Sequence, residues 1–236
     1  MGDSQNENLR VGFDSRLKLK FCGSQVTTDA GLLAYRELDE ALGLTEMGGD
    51  VLSDSRQGRN KQHQLVPSLR QSIYSRLAGY EDVNDAERMC VAPALRHVVG
   101  GRATLPEKQA ASSSEVGRFE TQILSTKRNL TALMKLSCRT FKDNQARLQL
   151  FSLAYNLGNF LRRLVLPKPI QNWSLTTLRE KLIKVGAKVT RHAKYVFFQL
   201  AEVAVPRRLF AAILDRIARL AIPPPVTHDV KWKYIK

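Results

Sequence analysis

Apolar and polar residues alternate in two stretches of the sequence, and this pattern predicts two small β-hairpins. In the first, residues 16–21 alternate basic with apolar side chains, and residues 9–13 form the partner strand, with Asp14 in the turn. In the second, residues 188–191 and 194–200 form the two strands. The first hairpin would present one basic face to solvent.

Most of the remaining sequence repeats apolar residues at helical spacing. The stretch 144–165 is apolar over most of its circumference, so another part of the protein must bury it. Residues 48–64 predict a loop, because glycine, serine and aspartate punctuate them. The predicted fold class is mainly α with small antiparallel β-hairpins, an α+β architecture. Helices are predicted over residues 27–43, 67–79, 82–99, 119–133, 144–165, 174–186 and 206–220.

Charge divides the 236 residues into two unequal parts. Residues 1–136 carry 18 basic and 17 acidic side chains, whereas residues 137–236 carry 19 basic and five acidic ones. The net charge of the whole chain is +15, which favours nucleic acid as the partner. The asymmetry suggests two regions with different origins or roles.

Other features of the sequence narrow the class of protein. No run approaches 18 consecutive apolar residues, and residues 1–8 are polar and acidic, so neither a membrane span nor a secretory signal is expected. Three widely spaced cysteines fit reduced thiols, and the expected localisation is cytoplasmic.

Two clusters of basic residues are the candidate DNA-binding positions. One lies on one face of the first hairpin, and the other lies in a polar loop beside amide side chains that can reach base edges. An alternative interpretation is that each cluster is an ordinary solvated surface. The candidate DNA-binding residues are Arg16, Lys18, Lys20, Arg56, Arg59 and Lys61.

Acidic residues and histidines do not indicate a catalytic site. Phosphoryl transfer on nucleic acid commonly uses carboxylates that hold two divalent metal ions. Asp14 follows residues 11–13, and a first metal ligand commonly follows an apolar strand in this way. A role of Asp14 in a turn is nevertheless favoured, because aspartate side chains bind nearby backbone N–H groups. The other acids and the four histidines lack metal-ligand spacing, and no glycine-rich phosphate loop is present. No catalytic or metal-binding residue is therefore assigned.

Several blocks of the sequence occur in the order typical of a known family. Residues 13–44, 53–89 and 112–120 resemble the N-terminal region of bacterial insertion-sequence transposases of the DDE type. Residues 139–167 and 173–220 resemble the C-terminal end of the same family. The resemblance is specific because many blocks match in order, among them FDSRLKLKFCGSQVTTDAGLLAYRELDEALGL and RTFKDNQARLQLFSLAYNLGNFLRRLVLP.

The resemblance implies a function in DNA transposition, with the ends of an insertion sequence as the DNA partner. In the family, a long central segment carries the sheet of a ribonuclease-H-like domain with its Asp, Asp and Glu metal ligands. Here Met134 is followed almost directly by the C-terminal block, which implies an internal deletion. No position corresponds to the three ligands, so the chain is expected to bind DNA without cleaving it. Mg²⁺ is expected only for the intact family enzyme.

The implied deletion also determines the expected domains. Residues 1–136 form a helical DNA-binding region with an initial β-hairpin, residues 137–222 form an incomplete ribonuclease-H-like remnant, and residues 223–236 form a disordered tail. The helix 144–165 would lose much of its core, which predicts a broad thermal transition. Self-association, or pairing with a full-length transposase, is a further expected interaction.

Two other functions remain open at this point. One is an intact, metal-dependent DNA transposase or nuclease whose acidic residues the sequence pattern does not reveal. The other is a basic RNA-binding protein, which would display exposed aromatic residues for base stacking. Most aromatic residues lie in apolar patterns, which favours the transposase hypothesis.

Overall fold

A computed structural model describes residues 9–21, 28–56, 62–137, 145–192, 194–201 and 205–220. Within these ranges the protein is mostly helical and contains a small β-sheet, so the predicted α+β class is confirmed. The predicted tail 223–236 lies outside the described residues. No helix among the described residues is long and apolar enough to span a membrane.

The described helices and strands follow one another in a fixed order. The strands are β1 (Leu9–Arg10), β2 (Leu17–Phe21), β3 (Ala187–His192) and β4 (Tyr195–Leu200). The α-helices are α1 (Leu32–Leu42), α2 (Leu44–Val51), α3 (Leu65–Leu77), α4 (Ala86–Met89), α5 (Pro93–Val99), α6 (Ser113–Arg118), α7 (Lys127–Ser137), α8 (Gln145–Phe160), α9 (Leu175–Leu178) and α10 (Arg207–Ala218). Short 3₁₀ turns cover Val83–Asp85, Gly101–Thr104 and Lys168–Ile170, and π-helical turns cover Phe119–Leu124, Leu161–Val165 and Arg179–Ile183.

The two predicted hairpins are both present, but they are not separate units. Strands β1 and β2 pair antiparallel, and so do β3 and β4. The two hairpins join because β2 pairs in parallel with β4, from Leu17 opposite Val196 to Phe21 opposite Leu200. The result is one mixed four-stranded sheet with the order β1-β2-β4-β3.

Alternating apolar residues attach this sheet to the helices. Leu17 and Leu19 of β2 are fully buried, and along β4 the buried positions are Val196, Phe198 and Leu200. Because successive side chains of a strand point to opposite faces, this alternation places one face of the sheet on the core. The helical elements cover that face.

Helix α1 ends as the sequence predicts, and it begins in close contact with the C-terminal part of the chain. Gly43 terminates it in the left-handed conformation, with φ of 63°. At the other end, the backbone N–H of Gly31 donates to the carbonyl of Ile183 at 3.1 Å, and that of Ala30 donates to Val185 at 3.0 Å. The start of α1 therefore lies directly against the segment 182–185.

The predicted loop over residues 48–64 begins too early, because residues 44–51 form helix α2. Residues 52–56 and 62–64 are irregular, as predicted. Gly48 and Gly49 lie inside this helix, where their missing side chains allow close packing on α3. A Cβ atom on Gly48 would lie 2.5 Å from Leu69, and one on Gly49 would lie 2.5 Å from Val66. Close helix packing outweighs the low helix propensity of the two glycines.

Helix α8 is buried over part of its surface by helices that precede it in the sequence. It packs against α3 and α7, and Leu150, Leu153 and Leu157 are essentially inaccessible to solvent. Leu148, Tyr155 and Phe160 of the same helix are 37%, 56% and 37% exposed. The expectation that this helix loses much of its core is therefore wrong for its buried face and agrees with the structure for its exposed apolar residues. Buried side chains from Val11 to Ile217 belong to one hydrophobic cluster. No observation tests the predicted domain boundary after residue 136, and it stays a prediction.

This shared cluster changes the expected unfolding behaviour. We expect a single cooperative transition rather than a broad one, because neither sequence region can expose its core without exposing that of the other. Far-UV circular dichroism and tryptophan fluorescence should give the same urea midpoint. Two separated midpoints would show that the two regions unfold independently.

Candidate nucleic-acid interface

Arg16, one of the predicted DNA-binding residues, is held by an acidic neighbour. Its backbone N–H and its Nε both donate to Oδ1 of Asp14, at 2.9 and 3.0 Å, and its Nη2 donates to Oδ2 at 2.8 Å. Burial raises the pKa of Asp14, but the hydrogen bonds and the charge of Arg16 outweigh it, and the pKa lies below its ordinary value. Both groups are therefore charged at neutral pH, and each largely neutralises the other.

Asp14 also forms the turn that the sequence predicts. Its backbone carbonyl accepts the N–H of Leu17 at 3.0 Å, which closes the connection between β1 and β2. The turn interpretation of Asp14 is thus confirmed.

Arg56 repeats the arrangement of Arg16 in a second Asp-Ser-Arg sequence. Its backbone N–H and Nε donate to Oδ1 of Asp54 at 3.0 and 2.8 Å, and its Nη2 donates to Oδ2 at 3.0 Å. The guanidinium also lies 5.9 Å from the centre of the Phe119 ring. The repeated tripeptide was the sequence signal for these two ion pairs.

The structure does not describe the side chains of the other four predicted DNA-binding residues. The backbone of Lys18 and Lys20 belongs to β2, but their side chains lie outside the described part of the structure. Arg59 and Lys61 lie outside it altogether. The assignment of all six residues to DNA stays a prediction.

A different group of basic residues, absent from the sequence predictions, lines a groove of about 710 Å³. The groove lies along the exposed face of α7, beside the end of α2, and we call it the α7 groove. Its lining residues are Val51, Lys127, Arg128, Thr131, Ala132, Lys135 and Leu136. The sequence signal was the spacing of Lys127, Thr131 and Lys135, which lie four residues apart on one helix face.

The three basic side chains of the α7 groove differ from Arg16 and Arg56 in their surroundings. Lys127, Arg128 and Lys135 are exposed, and none of them forms an ion pair with any residue that the structure describes. The groove lining contains no acidic residue. These three positive charges are therefore available to an anionic partner.

Buried acidic residues serve the fold. Among the described residues, Glu120 receives two hydrogen bonds from Arg76, from Nη1 to Oε1 at 2.8 Å and from Nη2 to Oε2 at 2.9 Å. Asp39 accepts from the backbone N–H and the hydroxyl of Thr45 at 2.9 and 2.7 Å, and from Tyr74 at 3.0 Å. Burial and the Asp39 charge raise the pKa of Tyr74, which keeps its hydroxyl protonated as a donor.

The third buried acid, Asp29, accepts a hydrogen bond from the Tyr80 hydroxyl at 2.9 Å, and its other carboxylate oxygen has no partner among the described residues. Over the ranges that the structure describes, no three His, Cys, Asp or Glu residues come together in a way that could hold a metal ion.

Comparison with known protein families gives the class of the protein. The family model described as Transposase DDE domain group 1 matches residues 9–131 and 122–222, nearly the whole chain. The chain therefore belongs to this family of DDE transposase domains, and its function is related to DNA transposition. No curated protein and no solved structure matches it. The resemblance to DDE-type transposases is confirmed.

Proposed function

We propose that this chain is a DNA-binding transposase derivative that lost strand cleavage through an internal deletion. One observation carries the proposal: the family model matches the chain as two segments, residues 9–131 and 122–222, which overlap at residues 122–131. The family resemblance implies that the acidic metal ligands lie between two such regions. The change in charge after residue 136, five residues beyond this overlap, supports a junction in this part of the chain.

The state of the buried carboxylates supports the loss of cleavage. Two-metal phosphoryl transfer needs several carboxylates that are free to bind divalent cations. Glu120 is already bound by Arg76, and Asp39 accepts three hydrogen bonds from the chain. Asp14 is bound by Arg16 in a turn. Using any of these three as metal ligands would break contacts that the fold makes. Asp29 has one oxygen without a partner, but it belongs to no group of three potential metal ligands among the described residues.

DNA binding is supported by the charge of the protein. A net charge of +15 attracts polyanions over a long range, and the transposase family acts on DNA. We propose that the protein binds the ends of its insertion sequence, where it competes with intact transposase or pairs with it. In this proposal residues 137–222 are an incomplete ribonuclease-H-like remnant.

We expect the protein to bind DNA that carries the ends of its insertion sequence but not to nick it. The measurement is a nicking assay on supercoiled and end-labelled DNA with Mg²⁺ or Mn²⁺, together with a gel-shift titration of the same DNA. No product should appear under conditions in which the DNA is fully bound.

The Asp14→Ala variant is the control for contaminating nuclease. Nicking by the wild-type protein that this variant abolishes would contradict the proposal and favour an intact enzyme. Tighter binding to structured RNA than to the DNA ends would favour an RNA-binding function instead.

A further inference from the structure

We propose that the α7 groove binds the sugar-phosphate backbone of DNA. This inference rests on the proposed function, DNA binding, and names the surface that contacts the DNA. The groove differs from the six predicted DNA-binding positions, and its basic residues are Lys127, Arg128 and Lys135.

The first argument is the balance of charge. The lining of the groove has three cations and no acid, whereas Arg16 and Arg56 are each neutralised by an aspartate two residues earlier. Exposed cations that face a common concave surface attract phosphate groups, because phosphates release counterions when lysine or arginine neutralises them. The three cations of the groove are therefore better suited to bind phosphate than the two aspartate-bound arginines.

The second argument is the spacing along α7. Eight residues separate Lys127 from Lys135, a rise of about 12 Å along the helix axis. One strand of DNA advances about 3.4 Å along the duplex axis per phosphate, so an α7 that lies along this axis would pass three or four phosphates of that strand. The hydroxyl of Thr131 donates to the carbonyl of Lys127 at 2.9 Å, which leaves the three cations as the phosphate donors.

The third argument is the apolar floor of the groove. Val51 is 45% exposed, and Ala132 and Leu136 also line the groove. Deoxyribose carbons packed on this floor would remove it from water. A ribose would place its 2′-hydroxyl against apolar side chains, which costs free energy when no hydrogen bond replaces water. The floor therefore favours DNA over RNA.

The test is a triple variant, Lys127→Gln, Arg128→Gln and Lys135→Gln, measured in the full-length chain. Fluorescence anisotropy with a labelled 30-base-pair duplex gives the affinity at several salt concentrations between 50 and 200 mM. We expect binding at about 100 mM salt to weaken by about 10- to 100-fold. The log–log dependence of affinity on salt should become less steep by about 2–3, because each phosphate contact contributes about 0.9.

The matched control removes three exposed lysines elsewhere, by Lys108→Gln, Lys168→Gln and Lys188→Gln. It changes the net charge by the same amount and should lower affinity much less than the groove variant. Since all six side chains are exposed, both variants should keep the wild-type circular dichroism spectrum.

The possible outcomes separate this inference from the proposed function. If the wild-type protein binds neither DNA nor RNA, the proposed function is wrong. If it binds DNA but the groove and control variants lose affinity equally, the groove is not the DNA surface. A groove variant that loses affinity for RNA as much as for DNA would contradict the preference for deoxyribose.

Discussion

Replacing Gly31 by alanine is expected to lower the free energy of unfolding by at least about 4 kcal/mol, or to prevent folding. A Cβ atom at this position would lie 1.5 Å from the carbonyl oxygen of Leu182 and 2.8 Å from Cα of Ile183. These are backbone atoms, so no side-chain rotation relieves the overlap. Helix α1 and the segment 182–185 would have to move apart, which breaks the hydrogen bond from Gly31 to Ile183.

Urea denaturation of Gly31→Ala, followed by circular dichroism, measures this effect. The matched control is Gly117→Ala in α6, where the nearest atom to an added Cβ is 3.6 Å away. Because alanine has the higher helix propensity, the control should be unchanged or up to about 1 kcal/mol more stable. A Gly31→Ala protein within about 1 kcal/mol of the wild type would mean that α1 does not approach the 182–185 segment so closely.

Glu120→Ala is expected to lower the free energy of unfolding by about 3–5 kcal/mol, because it leaves the buried charge of Arg76 without its carboxylate. The side chains of Arg76 and Glu120 are only 3% and 4% exposed. The Arg76 guanidinium also lies 5.1 Å from the centre of the Phe151 ring, so this ion pair lies where α3 meets α8. Its loss therefore weakens the contact between the N-terminal and C-terminal regions.

The double variant Arg76→Met and Glu120→Leu should recover much of the lost stability, since it removes both buried charges and fills similar volume. For comparison, Arg88→Gln removes an exposed arginine, 4.0 Å from Asp85, and should cost about 1 kcal/mol or less. Equal losses for Glu120→Ala and Arg88→Gln would show that the Arg76–Glu120 pair is hydrated in solution.

Features with a local cause could be predicted from the sequence. Alternation of leucine with basic residues predicts strand β2, and Asp14 predicts its turn. Gly43 ends α1 because glycine tolerates the left-handed conformation found there. In each case the residues that decide the structure lie within a few positions of each other.

Features that depend on distant partners could not be predicted. Nothing near β2 indicates that it pairs in parallel with β4, since the apolar pattern of each strand is satisfied by any suitable core. The local sequence around Gly48 and Gly49 predicts a loop, and their place in a helix depends on close packing against α3. The candidate nucleic-acid interface combines both kinds of feature. The Asp-Ser-Arg tripeptide is a local sign that an aspartate binds Arg16, whereas the exposure of Lys135 depends on which face of α7 the rest of the fold buries.

The parallel pairing of β2 with β4 also sets the order of events during synthesis on the ribosome. About 180 residues separate Leu17 from its partner Val196. At about 5–20 residues per second, translation needs roughly 10–35 s to deliver β4 after β2 has been made. During that time the nascent chain carries an apolar strand with an unpaired edge, which is a binding site for chaperones and a starting point for aggregation.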